Sequence, residues 1–243
     1  DLKNGGQGAP LVAIFHQILE KKFIRKKEAH KYIQPVHFVN IGGVTNRTTI
    51  TKDLSFSATD IGPGMCLIDK WVKKNSKEKY DKNGNLAKAG KINIKILDKE
   101  LENFWNKQSH IKDTSIQKLT SYDISDFDIS FVQGLSLEDG AATLTEYSAK
   151  IMHNNIFFAD EEIAKVILCG GGRKNNFLFK RIKENFNNIS VKLIDDYGID
   201  GDFVESQAFG YLAIRSYLGL PISFPNTTGC KEPTTGGVVV KNY

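Results

Sequence analysis

At 243 residues, with 40% apolar and 25% charged residues and a formal net charge of +5, the chain can bury a core in one large domain or two modest ones. No run approaches the ~18 apolar residues of a membrane helix, and no secretory leader opens the sequence. The basic clusters Lys21-Lys22, Arg25–Lys27 and Lys73-Lys74 are interrupted by acids and lack the interleaved aromatics of a nucleic-acid surface. Neither a membrane nor a nucleic acid is therefore expected as a partner, whereas an anionic small ligand such as a nucleotide suits the charge.

In chain order, Asn4–Pro10 is a glycine-rich loop. Leu11–Lys27 is an amphipathic helix, with Leu11, Ile14, Phe15, Ile18 and Leu19 at helical spacing. β-Branched and aromatic residues make strands of His37–Ile41 and Thr48–Thr51, joined by a turn over Gly42–Asn46. Ser55–Thr59 is a third short strand that ends at Asp60. The Gly62-Pro63-Gly64 turn then opens a helix running to Lys74, with Met65, Leu67, Ile68, Trp71 and Val72 on its apolar face. Asp81–Asn85 is a polar turn. It begins like a D-x-N-x-N calcium loop, but Leu86 stands where that motif needs glycine and Ile92 where it needs glutamate.

Ile94–Asn106 is helical, and His110–Asp126 shows no periodicity that assigns an element. Ser136–Met152 is a helix with Ser136 as its cap and Glu138-Asp139 in the first turn, where the helix dipole favours acids. The strand Lys165–Leu168 runs into Cys169-Gly170-Gly171-Gly172. Helix Asn175–Asn185, strand Ile189–Ile194 and helix Asp202–Leu218 follow, and Gly219–Tyr243 is loop. A hairpin followed by alternating strands and helices reads as an α/β domain with a mixed sheet.

Cys66, Cys169 and Cys230 are far apart with no CxxC pair, and the 5 histidines show no metal-ligand spacing. This argues against a disulfide framework and a zinc site and fits a reducing compartment. The chemistry concentrates instead in Val36–Asp69. A glycine turn presents backbone N–H groups, and a carboxylate, Asp60, follows one strand further on, an arrangement able to hold a phosphate near a base. Gly42-Gly43 also reads as an ordinary hairpin turn, and Asp60 as the cap of the next helix. Gly170–Gly172, between a strand and a helix, lets backbone approach a flat or charged ligand. It is not a GxGxxG fingerprint, and a tight strand-to-helix turn explains the same residues. Glu205, in the first turn of its helix, is accounted for by the dipole alone.

Together these motifs resemble the anhydro-N-acetylmuramic acid kinase family. The likeness rests on GGQGAPL (Gly5–Leu11) with Phe15-His16, NIGGVTN (Asn40–Asn46) and DIGPG (Asp60–Gly64) with Asp69. It continues through LSLEDGAATLTE (Leu135–Glu146), CGGGRKN (Cys169–Asn175) and GIDGDFVESQAFGYLA (Gly198–Ala213) with Leu220-Pro221. The motifs run in the family's order over nearly the whole chain. The resemblance implies the sugar-kinase/actin-like superfamily, in which two domains with ribonuclease-H-like cores close on ATP. It implies transfer of a phosphoryl group from ATP to the 6-oxygen of 1,6-anhydro-N-acetylmuramic acid while water opens the anhydro bridge. The product is N-acetylmuramic acid 6-phosphate, in cytoplasmic cell-wall recycling. ATP and Mg²⁺ are the implied cofactors, and a homodimer is the implied assembly.

Carried over by position, Asp60 resembles the catalytic base that activates the water. Asn40, Gly42, Gly43 and Asn46 resemble a phosphate-binding hairpin, with Gly62 and Gly64 beside it. Gly170, Gly171, Gly172 and Asn175 resemble an adenosine-contacting loop. Gln7, Gly8, Pro10 and Glu205 fall on the substrate side, and no protein metal ligand is assigned. The family's opening phosphate hairpin, SGTSxDGxD, has no counterpart here. Residues 1–35 are accordingly expected to be a remnant of the first domain with the interdomain helix. Residues 36–243 are expected to form the second ATPase-type domain, with the C-terminal tail returning toward the first. Met65 stands where the family usually has Asn, and the stretch around Lys112 matches the family's PPKS only faintly. The chain alone is expected to show little or no kinase activity, with a separate N-terminal piece as a potential partner. A non-catalytic nucleotide-binding or interaction remnant is the competing reading.

Overall fold

The structure is a computed structural model that describes residues 1–28, 33–112, 121–157, 164–187 and 189–240. Five strands form one sheet: β1 (Val36–Ile41), β2 (Val44–Ile50), β3 (Phe56–Pro63), β4 (Lys165–Cys169) and β5 (Ser190–Leu193). Their order is β3-β2-β1-β4-β5. β2 is antiparallel to both β1 and β3, while β1, β4 and β5 run parallel. This mixed order is the ribonuclease-H-like arrangement expected from the sequence. The hairpins need only tight turns, whereas each parallel step requires a helical crossover.

Those crossovers supply the helices. α1 (Ala13–Leu19) continues through a π-helical turn, Glu20–Ile24, into α2 (Arg25–Lys27) before the sheet begins. α3 (Cys66–Asn75), α4 (Asn85–Ala89), α5 (Ile94–Lys112) and α6 (Leu137–Phe157) lie between β3 and β4. α7 (Asn176–Asn185) joins β4 to β5, and α8 (Val204–Tyr217) and α9 (Pro225–Thr228) follow. Alternation along β1 distributes the core, because successive strand residues face opposite sides. Val36 and Phe38 pack with Phe15, Leu19, Ile167, Val204 and Ala208 on the side of α1 and α8. Val39 and Ile41 pack with Ala149, Met152, Val166, Leu168 and Leu178 on the side of α6 and α7. Phe38 is fully buried, which contributes about 1.5–3 kcal/mol. A third cluster, with Trp71, Leu97, Phe104, Leu144 and Tyr147, joins α3, α5 and α6.

Several boundaries differ from the sequence reading. β2 starts at Val44, not after Asn46, because Thr45 and Asn46 already pair with Ile41 and Asn40. β3 does not stop at Thr59. It continues through Gly62 and Pro63, which pair with Thr45 and Val44. A proline is tolerated there because β3 is an edge strand and needs no outward N–H. The helix after it therefore begins at Cys66 rather than at Gly62. The Asp81–Asn85 turn leads directly into α4, and the Asp81 carboxylate accepts the Leu86 and Ala87 N–H groups at 2.8 and 3.0 Å, serving as a helix cap. α5 runs past Asn106 to Lys112. The tail is not all loop: it holds α9 and a bridge between Ser223 and Thr234. The faint PPKS match reaches into residues 113–120, which lie outside the described residues, as do the side chains around Lys112. Among the described residues, no helix is long and apolar enough to cross a membrane.

Candidate active site

Register assembles the site's first row. Asn40 on β1 pairs with Asn46 on β2, and Asn46 pairs with Asp60 on β3. Paired residues on adjacent strands share a face, and Phe38, two residues before Asn40, faces α1 and α8. The row Asn40–Asn46–Asp60 thus lies on that side. At ~4.8 Å per strand, Asp60 sits about 10 Å from Asn40. A β-bulge makes this possible. Thr45 pairs with Gly62 while Asn46 pairs with Asp60, leaving Ile61 as the extra residue. Ile61 stays buried on the α6 side, and the bulge re-aims its neighbours, as bulges beside functional sites do.

Asp60 is half-buried. Its Oδ2 accepts the Tyr122 N–H at 3.0 Å. Burial raises its pKa above the usual carboxylate range, and the Tyr122 N–H opposes part of that rise. One oxygen is thereby oriented and the other left to accept a proton, which suits a general base. Beside it, the Asn46 Oδ1 atom is buried with no protein partner.

The hairpin and the β3–α3 connection lock together through backbone. Gly64 N–H donates to Gly43 C=O at 2.9 Å, Met65 N–H to Gly42 C=O at 2.8 Å, and Cys66 N–H to Gly43 C=O at 3.2 Å. A Cβ on Gly64 would stand 2.4 Å from the Gly42 oxygen. Gly62 has φ +143°, and a Cβ there would stand 2.6 Å from Ile151 Cγ2. Close packing thus explains Gly62 and Gly64 without a ligand, and the carbonyls of Gly42 and Gly43 are already engaged.

The second part of the site follows β4. Parallel pairing sets Cys169 beside Asn40, so the Gly170–Gly172 loop leaves the sheet next to the polar row, at the carboxyl end of a parallel strand, where α/β sheets bind ligands. The three glycines have different reasons. A Cβ on Gly170 would meet Asn40 Oδ1 at 2.5 Å and the Ile41 oxygen at 2.7 Å, and one on Gly172 would meet Ile41 Cγ2 at 2.3 Å. A Cβ on Gly171 would meet nothing within 4 Å. Only Gly171 lacks a packing reason to be glycine, and it opens onto a cavity.

That cavity, of ≈ 250 Å³, is lined by Val12, His16, Asn40, Gly170, Gly171, Arg173, Gly201, Asp202, Val204 and Glu205. It is below the ~300–1,000 Å³ of whole-ligand pockets, a size for part of a ligand. It brings together Asn40, Gly170, Gly171 and Glu205 from the sequence reading. Asn175 is not among its walls: its Oδ1 accepts the Leu178 N–H at 2.9 Å and caps α7. Gln7, Gly8 and Pro10 do not line it either. Gln7 N–H donates to Thr228 C=O at 2.8 Å and Gly8 N–H to Asp1 Oδ2 at 2.6 Å, tying the loop to α9. α9 in turn sits against β3, with Phe224 edge-on to Phe56 at 5.1 Å. A larger cavity, ≈ 670 Å³, lies against Tyr122, Phe104, Phe127, Phe131 and Tyr147.

Two cavity residues carried no functional weight in the sequence reading. His16 is buried, stacks on Phe38 at 4.7 Å and holds Nδ1 2.9 Å from Thr48 Oγ1. Burial lowers its pKa to about 3, so it is neutral at physiological pH. Arg173 is 5% exposed. Its signal was present as a cation directly behind three glycines, followed by acids at Asp195 and Asp202, but their contact arises only on folding. Among the described residues, no group of three or more His, Cys, Asp or Glu could hold a metal ion.

A family model described as anhydro-N-acetylmuramic acid kinase matches residues 1–242. The anhydro-N-acetylmuramic acid kinase of Pelagibacter ubique is 46% identical over 250 aligned positions, which cover 100% of this chain and 63% of that protein. Those of Rhizobium johnstonii and Zymomonas mobilis are 38% and 37% identical, each over 98% of this chain and 61% and 60% of the relative. The chain thus spans about 60% of the length of the curated relatives it matches. Among solved structures, an activator of the 2-hydroxyisocaproyl-CoA dehydratase from Clostridium difficile with bound ADPNP superposes with TM-score 0.40 at 13% identity, covering 74% of this chain and 63% of that one. With a family model matched from end to end and close relatives over its full length, the chain belongs to the anhydro-N-acetylmuramic acid kinase family.

Proposed function

We propose that this chain supplies the catalytic base and the adenosine-side loop of an ATP-dependent kinase-hydrolase. The observation that carries the reading is the row Asn40–Asn46–Asp60 ending beside the Gly170–Gly171 cavity. Asp60 takes a proton from a water that attacks the anomeric carbon of 1,6-anhydro-N-acetylmuramic acid. The C1–O6 bridge breaks, and O6 forms its bond to the γ-phosphorus of ATP as ADP leaves. The products are N-acetylmuramic acid 6-phosphate and ADP, and the proton stays on Asp60 until solvent removes it. The raised pKa of Asp60 makes it a stronger base than an exposed carboxylate.

Gly171 offers backbone without a side chain in the way, and Asn40 offers an amide beside it. Glu205, which lines the same cavity, can accept hydrogen bonds from sugar hydroxyls. Mg²⁺ would neutralise charge on the β- and γ-phosphates. With no carboxylate cluster in the described residues, the fit is to an ion held chiefly by phosphates and water. This chemistry belongs to cell-wall recycling in the cytoplasm.

The test is turnover by the full reading frame that contains this chain, with Mg-ATP and the anhydro sugar, read by mass spectrometry. Formation of the 6-phosphate that stops in D60N supports the reading. Turnover that survives D60N, or phosphorylation of the sugar without bridge opening, overturns it.

A further inference from the structure

Arg173 makes more directed contacts than any other cavity residue. Its Nε donates to Asp195 Oδ2 at 2.8 Å and its Nη2 to Asp195 Oδ1 at 3.1 Å, a bidentate pair. Its Nη1 donates to Asp202 Oδ1 at 2.9 Å and to the Gly170 carbonyl at 3.1 Å. The segment that carries both acids wraps this guanidinium. Gly201 N–H donates to Asp195 Oδ1 at 3.3 Å, and a Cβ on Gly201 would stand 2.2 Å from Arg173 Nε. Lys174 pairs with the other Asp202 oxygen. The hydrogen bonds to Arg173 hold the Asp195 carboxyl below the usual range, and those to Lys174 and Arg173 do the same for Asp202.

A buried arginine bound by two carboxylates leaves little charge to attract phosphate. Its remaining effect is geometric. Gly170 has φ +78° and ψ 171°, a region open to glycine, and its carbonyl, which accepts the Arg173 backbone N–H at 3.3 Å as well as the guanidinium, joins the glycine loop to the clasp. These bonds fix the Gly170 carbonyl, and with it the course of the backbone into Gly171, which lines the cavity.

We propose that Arg173, clasped by Asp195 and Asp202, is the positioning residue of the glycine loop and sets its affinity for the nucleotide's adenosine portion. This rests on the reading of Gly170–Gly171 as nucleotide-facing. A lysine offers one cationic head without the fork, so it can restore part of the clasp and an apolar residue none of it.

The experiment titrates ADP, with and without Mg²⁺, into the purified product of the full reading frame that contains this chain by calorimetry, using wild type, R173M, R173K, D202N and a surface control, K180Q. Circular dichroism checks the fold of each. R173M is expected to bind ADP at least tenfold more weakly while remaining folded. R173K should recover part of the loss, as should R173M supplied with millimolar guanidinium ion. K180Q should match wild type. Should R173M fail to fold, D202N carries the test, since it keeps the Asp195 pair; a threefold or greater weakening is expected. Wild-type affinity in a folded R173M or in D202N overturns the positioning role while leaving the nucleotide reading intact. Equal losses in R173M and R173K, without rescue by guanidinium, overturn it too. No ADP binding by wild type removes both.

Discussion

Three adjacent glycines allow the site and the scaffold to be separated by one substitution repeated three times. Gly170→Ala places a methyl 2.7 Å from the Ile41 carbonyl oxygen, which is backbone and cannot turn aside, and 2.5 Å from Asn40 Oδ1. The residue also occupies a backbone region that costs an L-residue about 1–3 kcal/mol. With about 1–3 kcal/mol of overpacking added, the expected destabilisation is roughly 2–6 kcal/mol. Gly172→Ala drives a methyl to 2.3 Å from Ile41 Cγ2 and 2.9 Å from its Cβ. Overpacking alone predicts about 1–3 kcal/mol there. Gly171→Ala meets nothing within 4 Å, so its stability should stay within about 0.5 kcal/mol of wild type. Yet it puts a methyl on the surface assigned to the nucleotide, and ADP should bind at least tenfold more weakly, ~1.4 kcal/mol. Urea denaturation measures the first quantity and calorimetric titration of ADP the second. If Gly171→Ala loses stability like its neighbours, or keeps its ADP affinity, the division of the loop into two packing glycines and one ligand-facing glycine is refuted.

Gly64→Ala should destabilise by about 2–4 kcal/mol, since its methyl meets the Gly42 oxygen at 2.4 Å and loosens three backbone hydrogen bonds between hairpin and connection; a denaturation midpoint equal to wild type would contradict that packing. Asp60→Asn should remove sugar-kinase turnover while raising thermal stability at neutral pH. Its folded pKa is raised, so the folded state prefers the proton and ionisation disfavours it; the gain from Asn should shrink as pH falls through the raised folded value and be gone below the ordinary carboxylate value. A melting temperature lowered by Asp60→Asn at pH 7 would speak against this. His16 and His37 have folded pKa values lowered to about 3 by burial, against 6.5 unfolded. The unfolded chain therefore binds protons that the folded chain refuses, and stability should fall from pH 6.5 downward by up to ~1.4 kcal/mol per pH unit for each. The doubly substituted His16→Gln, His37→Gln chain should show a flatter profile between pH 6.5 and 4.5, and an unchanged slope would disprove the assignment.

How much of this was legible in the residues depended on whether the cause was local. β-Branched runs, glycine turns and helical spacing are short-range, and they located every strand and the long helices of the sheet. They also located Gly170–Gly172 and Asp60. Boundaries failed where a neighbour decided them. Proline and glycine at Gly62–Pro63 read as a stop, but pairing with Val44 and Thr45 continued the edge strand.

The succession of strands and helices and the mixed sheet were contained in the linear pattern, because period-two and helical periodicity survive without tertiary contacts, and the family was legible in ordered motifs such as NIGGVTN and CGGGRKN. Which residues form one site was not. Asn40, Asn46 and Asp60 become a row only through cross-strand register and a bulge at Ile61. Glycines that look alike in sequence divide into packing glycines and an open one by what stands within 4 Å of a missing methyl. Asn175 caps a helix, His16 is neutral inside the core, and Arg173 meets acids 22 and 29 residues away. Each of these follows from distances between segments remote in sequence, which only the closed fold brings within reach of a hydrogen bond.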